Sequence, residues 1–214
     1  MAGDSSETCE LLRRAGQGDA EALGELLARH RDRLQRMVRL RLDRRLQGRI
    51  DPSDVLQEAY LEASERFADY ARDPDMPFFL WLRFLTAQKV LVLHRRHLGT
   101  KGRDAGREVS LYRGALPEAS SAALAAQLVG HRTSPSQAAA RAEMQVRLQE
   151  ALNRMDPTDR EVLALRHFEQ LTNAETARVL GLRESATSMR YARALLRLKD
   201  ILAQMPGSLG EVGP

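Results

Sequence analysis

Apolar residues recur at spacings of three and four along almost the whole chain, and stretches of strict alternation between β-branched and polar residues are scarce. That period predicts an all-α protein. A first helix is expected over 7–15. A second opens at Asp19 and carries the stripe Leu23, Leu26, Leu27, His30, Leu34, Met37, Val38 and Leu42 as far as Gly48. Asp51-Pro52-Ser53-Asp54 marks the next start, because proline is tolerated in a first turn and acids there favour the helix dipole; Val55, Leu56, Ala59, Tyr60, Ala63 and Phe67 follow as its inner face. The stretch 70–77, with Pro74 and Pro77, reads as a loop, and 78–98 as a strongly apolar helix ending in His94-Arg95-Arg96-His97.

From 99 to 136 the pattern breaks. Gly99, Gly102, Gly106, Gly114, Pro117, Gly130 and Pro135 interrupt it, so this segment is expected to be a flexible linker carrying one short helix over 120–129. Periodicity resumes at Ala138 and runs through Val146, Leu148 and Leu152 to Met155, and Asp156-Pro157-Thr158-Asp159 restarts the chain for a helix over 160–170. Two further helices, 173–180 and 184–205, flank Gly181-Leu182. The expected architecture is therefore two small helical domains, 1–98 and 137–205, joined by the linker 99–136 and followed by a tail 206–214.

Composition narrows the class of protein. The chain has 214 residues, of which 43% are hydrophobic and 29% charged. Its single cysteine, Cys9, excludes a disulfide framework or a cysteine-rich zinc site. No run approaches the roughly 18 apolar residues of a membrane span, and the acidic start MAGDSSETCE is unlike a signal peptide; a cytoplasmic protein without membrane insertion is expected. His94 and His97 are the one histidine pair at ligand spacing, without a cysteine near them, and no glycine-rich phosphate loop or Ser/His/acid elbow is found. No metal, no cofactor and no enzymatic activity are expected.

Charge is more informative in its order than in its net value of +4. Nine arginines lie between 29 and 49 against Asp32 and Asp43; eight acids lie between 51 and 75 against Arg66 and Arg72; a second basic block then spans 83–107. Single charge runs often coat a solvated helix face. Three blocks of alternating sign suit a protein that meets phosphate with two surfaces and a basic protein partner with the surface between them.

The strongest local pattern is Leu171 to Leu182. Asn173 is expected to cap a two-turn helix whose Ala174, Ala177 and Leu180 face inward, Ala177 being small enough for a close crossing and Gly181 able to turn left-handed. Thr187, Tyr191, Leu195, Leu198 and Leu202 then form the inner stripe of the second helix, while Arg183, Glu184, Ser185, Ser188, Met189, Arg190 and Arg193 occupy its outer, N-terminal part. Short polar groups there reach base edges and arginines grip phosphate or guanine, as in a helix-turn-helix. The competing reading is an ordinary helical hairpin within a bundle.

Taken together, Asp51 to Leu61, Phe79-Leu80-Trp81-Leu82 with Arg95-Arg96, and Met155 to Glu169 with the hairpin and Arg193-Ala194-Leu195 resemble the bacterial RNA polymerase sigma factors of the extracytoplasmic-function (ECF) type. The resemblance covers about 10–203 apart from the linker. It implies a factor that binds core RNA polymerase and promoter DNA, with an anti-sigma factor or other regulator as a further partner. Asp51, Asp54, Gln57 and Glu58 would dock on a basic coiled coil of the largest polymerase subunit. Gln88, Lys89, Arg95 and Arg96 would meet the minus-ten element, with the 70–77 loop receiving an unstacked base. Arg183, Glu184, Ser185, Ser188, Met189, Arg190 and Arg193 would meet the minus-thirty-five element. Gln88 and Val92 stand where such proteins often have Asn and Asp, and Ala186-Thr187 where they have Thr-Val, so promoter preference does not transfer; with the long arginine run and linker this suggests a divergent subgroup. The alternatives are a conventional helix-turn-helix regulator, which needs a self-complementary face and a palindromic site, and a helical adaptor without a DNA role.

Overall fold

The computed structural model describes residues 2–98, 119–129 and 138–205. Every regular element among them is helical, and the chain divides into two units, Met1–Leu116 and Pro117–Pro214.

The first unit holds α1 (Ala2–Gly16), α2 (Ala20–Arg41), α3 (Pro52–Arg72) and α4 (Phe78–Leu98). The starts are set locally. Asp19 accepts from the backbone N–H groups of Glu21 and Ala22 and from the Arg14 guanidinium, which together hold its carboxyl below the usual range. Asp51 accepts from the Ser53 N–H at 2.7 Å, and Pro52 takes the first helical position. α2 lies against α1, α3 and α4, and α3 against α4. Leu26, Leu34, Met37, Leu40, Leu56, Leu82 and Leu85 fill the centre. From Phe78 to Ala87 nearly every side chain of α4 is buried, which is why that segment shows no polar face.

Two boundaries differ from the sequence expectation. α2 ends at Arg41 rather than near Gly48. Asp43 accepts from the Arg45 N–H at 2.9 Å, the Gln47 amide donates to the Leu42 carbonyl at 3.0 Å, and Gly48 sits at φ 89°. The turn so formed still buries Leu42 and Leu46, and these two leucines four apart imitate one more helical turn. α3 in turn runs on to Arg72, so Tyr70 belongs to a helix and the loop is confined to 73–77.

The end of α4 is tied to this turn: the Asp43 N–H donates to His94 Nε2 at 3.0 Å. That bond needs a neutral imidazole. Burial, the leading cause, and Arg45 both lower the His94 pKa from 6.5, while Asp43 opposes them. A group that binds protons less readily when folded supports the fold fully above its unfolded pKa and loses that support as pH falls below it. The first unit is therefore expected to lose stability on acidification from pH 7 to 5, and His94→Gln to flatten the dependence. The Asp43 carboxyl, lowered to about 2 by Arg45, loses its contribution only below 3.8 and does not overlap that window. Urea denaturation followed by fluorescence of Trp81, the chain's single tryptophan, checks this; a midpoint flat between pH 7 and 5 contradicts it.

The second unit holds α5 (Ser121–Val129), α6 (Ala138–Asn153), α7 (Pro157–Leu163), α8 (Asn173–Leu180) and α9 (Glu184–Gln204). α5, assigned from the sequence to the linker, lies along α6 with Leu124 and Ala125 buried; the remaining linker positions 99–118 and 130–136 fall outside the described residues. The helix expected over 160–170 is α only as far as Leu163. Ala164–Phe168 forms a π turn, with the Glu169 N–H donating to the Ala164 carbonyl at 2.9 Å. This widening aims the Arg166 guanidinium at the Leu171 carbonyl, 2.8 Å away, and over the Tyr191 ring at 5.4 Å, binding the turn to α9.

Candidate nucleic-acid interface

On α3 the acidic block resolves into a face. Asp54, Gln57 and Glu58 are exposed, and at ~100° per residue they share one side with Glu65 and Leu61. Leu61 is 68% exposed, and the sequence reading missed it. Its signal was phase, because Leu61 falls outside the stripe Val55, Leu56, Ala59, Ala63 and Phe67. Asp51 stands at the rim, its carboxyl lowered chiefly by the Ser53 backbone N–H. An apolar side chain ringed by carboxylates suits a basic partner with an apolar anchor point.

Lys89, expected at the minus-ten DNA, is ion-paired within the first unit. Its Nζ lies 2.7 Å from Glu62, which also pairs with Arg66 at 2.9 Å, so Lys89 joins α4 to α3. Gln88 is half-buried, whereas Arg95 and Arg96 are exposed on the last turn of α4. Trp81 is 7% exposed. It stacks on Tyr70 at 4.6 Å and meets Phe67 and Phe78. The Tyr70 hydroxyl donates to the Met76 carbonyl at 2.9 Å, and burial pushes its pKa up to about 12. The aromatic cluster thereby fixes the 73–77 loop from beneath, with Asp73, Pro74 and Asp75 turned outward.

In the second unit, Thr172 rather than Asn173 caps α8. Its hydroxyl accepts from the Glu175 N–H while the Glu175 carboxylate accepts from the Thr172 N–H, a reciprocal capping box. Asn173 is thereby released to donate to the Glu184 carbonyl at 2.9 Å, joining α8 to the start of α9. Gly181 is left-handed at φ 63° and ψ 36°, and the Leu182 N–H closes back on the Ala177 carbonyl.

The inner stripe of α9 is shifted from the expected one. Thr187, Ala194 and Ile201 are buried, whereas Leu195 and Leu196 are 43% and 61% exposed. The small Ala194 is wholly buried, and a reading that favours large apolar residues passes over it. Arg183, Glu184, Ser185, Ser188, Met189 and Arg193 are exposed together. Arg190 is not free: it pairs with Asp159 at 3.1 Å and Asp156 at 3.5 Å on α7 and its cap.

Among the described residues no group of three or more His, Cys, Asp or Glu is placed to hold a metal ion, and no helix is long and apolar enough to cross a membrane.

Residues 145–198, from the middle of α6 to α9, match the family described as Sigma-70, region 4. The chain is 32% identical over 183 residues to the ECF RNA polymerase sigma factor SigD of Mycobacterium tuberculosis, covering 86% of this chain and 78% of SigD. It is 30% identical over 195 residues to the RNA polymerase sigma factor CnrH of Cupriavidus metallidurans, covering 90% and 92%. The solved structure of CnrH in complex with the cytosolic domain of CnrY is similar at a TM-score of 0.53 and 26% identity, over 92% of this chain and 97% of that one. These likenesses favour an initiation factor over a conventional helix-turn-helix regulator. With two helical units, a left-handed elbow before an exposed cationic helix and relatives of this identity over most of its length, the chain belongs to the ECF RNA polymerase sigma factors, which bind core RNA polymerase and direct promoter-specific transcription.

Proposed function

We propose a residue-level division of that labour. The α3 face of Asp51, Asp54, Gln57 and Glu58, with Leu61 at its centre, docks on core polymerase. The end of α4, Gln88, Arg95 and Arg96, holds the minus-ten element, with Lys89, on the same face as Arg96, tied to Glu62 of α3. The exposed part of α9, from Arg183 to Arg193, enters the major groove of the minus-thirty-five element. The first unit and the second, which includes α5, carry these tasks separately. The chain works in the cytoplasm as a binding protein without catalysis of its own, and a regulator partner is expected because its relative CnrH is found in complex with the cytosolic domain of CnrY.

The observation that carries the α9 assignment is the split between two arginines three residues apart: Arg193 is exposed and Arg190 is held by Asp159. Arg193→Ala is expected to weaken upstream DNA binding and to lower the slope of log affinity against log salt by about one unit. Arg190→Ala is expected to leave that slope unchanged and to cost the fold about 0.5–1 kcal/mol, the range of a half-exposed ion pair. Run-off transcription with purified core polymerase, combined with salt-titrated footprinting, tests both. If the two variants exchange behaviours, α9 is docked the wrong way round.

A further inference from the structure

The arginine run that ends at Arg49 belongs to none of these surfaces, and its last part is a built turn. Leu42 and Leu46 are buried beneath it. The Asp43 carboxylate accepts from the Arg45 N–H at 2.9 Å and from Arg45 Nε at 3.0 Å, and the Gln47 amide closes onto the Leu42 carbonyl. Arg44, Arg45 and Arg49 are left exposed. Asp43 compensates Arg45; Arg44 and Arg49 have no ion-pair partner among the described residues.

The hydrogen bond from the Asp43 N–H to His94 Nε2, 3.0 Å long, seats this turn against the last turn of α4. Arg44 follows that junction on one strand of chain and Arg95-Arg96 follow it on the other. The exposed turn that carries Arg44 and Arg49 is thereby seated against the helix end that carries the exposed Arg95 and Arg96. Holding like charges together on a fixed frame is unfavourable until a polyanion neutralises them. All four are arginines, whose planar forks suit phosphate oxygens. Among the described residues the exposed large apolar side chains include none in 43–50 and, on the end of α4, Val92 alone, so charge rather than apolar area dominates this surface, as contact with a phosphate backbone requires.

We infer that the 43–50 turn, together with the end of α4, grips the phosphate backbone of double-stranded promoter DNA without reading its sequence. The inference deepens the promoter-binding reading of α4 and rests on it. It adds Arg44 and Arg49 as contacts outside the helix that holds the minus-ten element.

The test uses the full chain and, as probe, a labelled DNA duplex of random sequence several helical turns long, titrated by fluorescence anisotropy at several salt concentrations. Core polymerase capture is measured in parallel. For Arg44→Ala with Arg49→Ala, the salt slope is expected to fall by about two units and the low-salt affinity by on the order of tenfold or more. Core capture stays at the wild-type level, and Arg44→Lys with Arg49→Lys restores most of the slope. An unchanged slope, a wild-type chain that does not bind the duplex at low salt, or a loss confined to core capture each overturns the proposal, the last by making the turn a protein-docking surface. A wild-type chain that binds the duplex but captures no core polymerase refutes the polymerase reading and leaves this one standing.

Discussion

Asp54→Lys combined with Glu58→Lys is expected to abolish capture of core RNA polymerase while the protein stays folded. Both side chains are exposed on α3, so neither change opens a cavity or strands a buried group, and surface substitutions of that kind usually move stability by only about 0.5 kcal/mol. Asp54 adds a little more, since it lies in the first turn of α3, where a positive charge opposes the helix dipole by about 0.3–1 kcal/mol. Docking suffers far more. Two attractions to a basic partner become two repulsions, and like charges juxtaposed across an interface cost several kcal/mol, or on the order of a thousandfold in affinity. Leu61→Ala is expected to weaken capture as well, without any change of charge, because Leu61 stands exposed between the acids. Pull-down with purified core polymerase and thermal unfolding of the same samples separate docking from folding. Capture within a few-fold of wild type would show that the acidic face is solvated decoration.

What the sequence makes legible here is what short-range chemistry decides. Asp51-Pro52 and Asp156-Pro157 start helices because a carboxylate before a proline answers the first free N–H groups wherever it occurs. Gly181 ends α8 because it adopts the left-handed backbone at little cost. The identity of the working side chains is less legible, because it depends on partners far away in the chain. Nothing around Arg190 distinguishes it from Arg193; the difference lies in Asp159, 31 residues upstream. Lys89 likewise looks free for DNA until α3 brings Glu62 to 2.7 Å from it. Where the errors are of phase, they trace to size. Leu195 outranks Ala194 on any hydrophobic scale, yet Ala194 is the one that is buried, and Leu42 and Leu46 keep helical spacing through a turn that is not a helix.

Trp81→Ala is expected to produce the largest loss of stability of any single change in the first unit. The indole is almost wholly buried and stacked on Tyr70, with Phe67 and Phe78 against its other sides. Truncating a buried aromatic of this size costs about 3–5 kcal/mol, through lost transfer energy and the cavity that remains. At a typical urea dependence of 1–3 kcal/mol per molar, the unfolding midpoint of that unit is expected to fall by on the order of 2 M. The consequence for function runs through the loop. Tyr70 holds 73–77 through its bond to the Met76 carbonyl, and without the indole behind it the ring gains room to swing away. A loop so loosened presents no fixed pocket to an unstacked base, so promoter opening is expected to fail even below the temperature at which the unit melts. Trp81→Phe keeps an aromatic ring in the stack and is expected to retain most of both properties. Circular dichroism in urea and permanganate probing of opened promoter DNA distinguish the outcomes. If Trp81→Ala unfolds at the wild-type midpoint, the indole is not part of the core; if it destabilises the unit yet still opens promoters in the cold, the aromatic cluster supports the helices but not the loop.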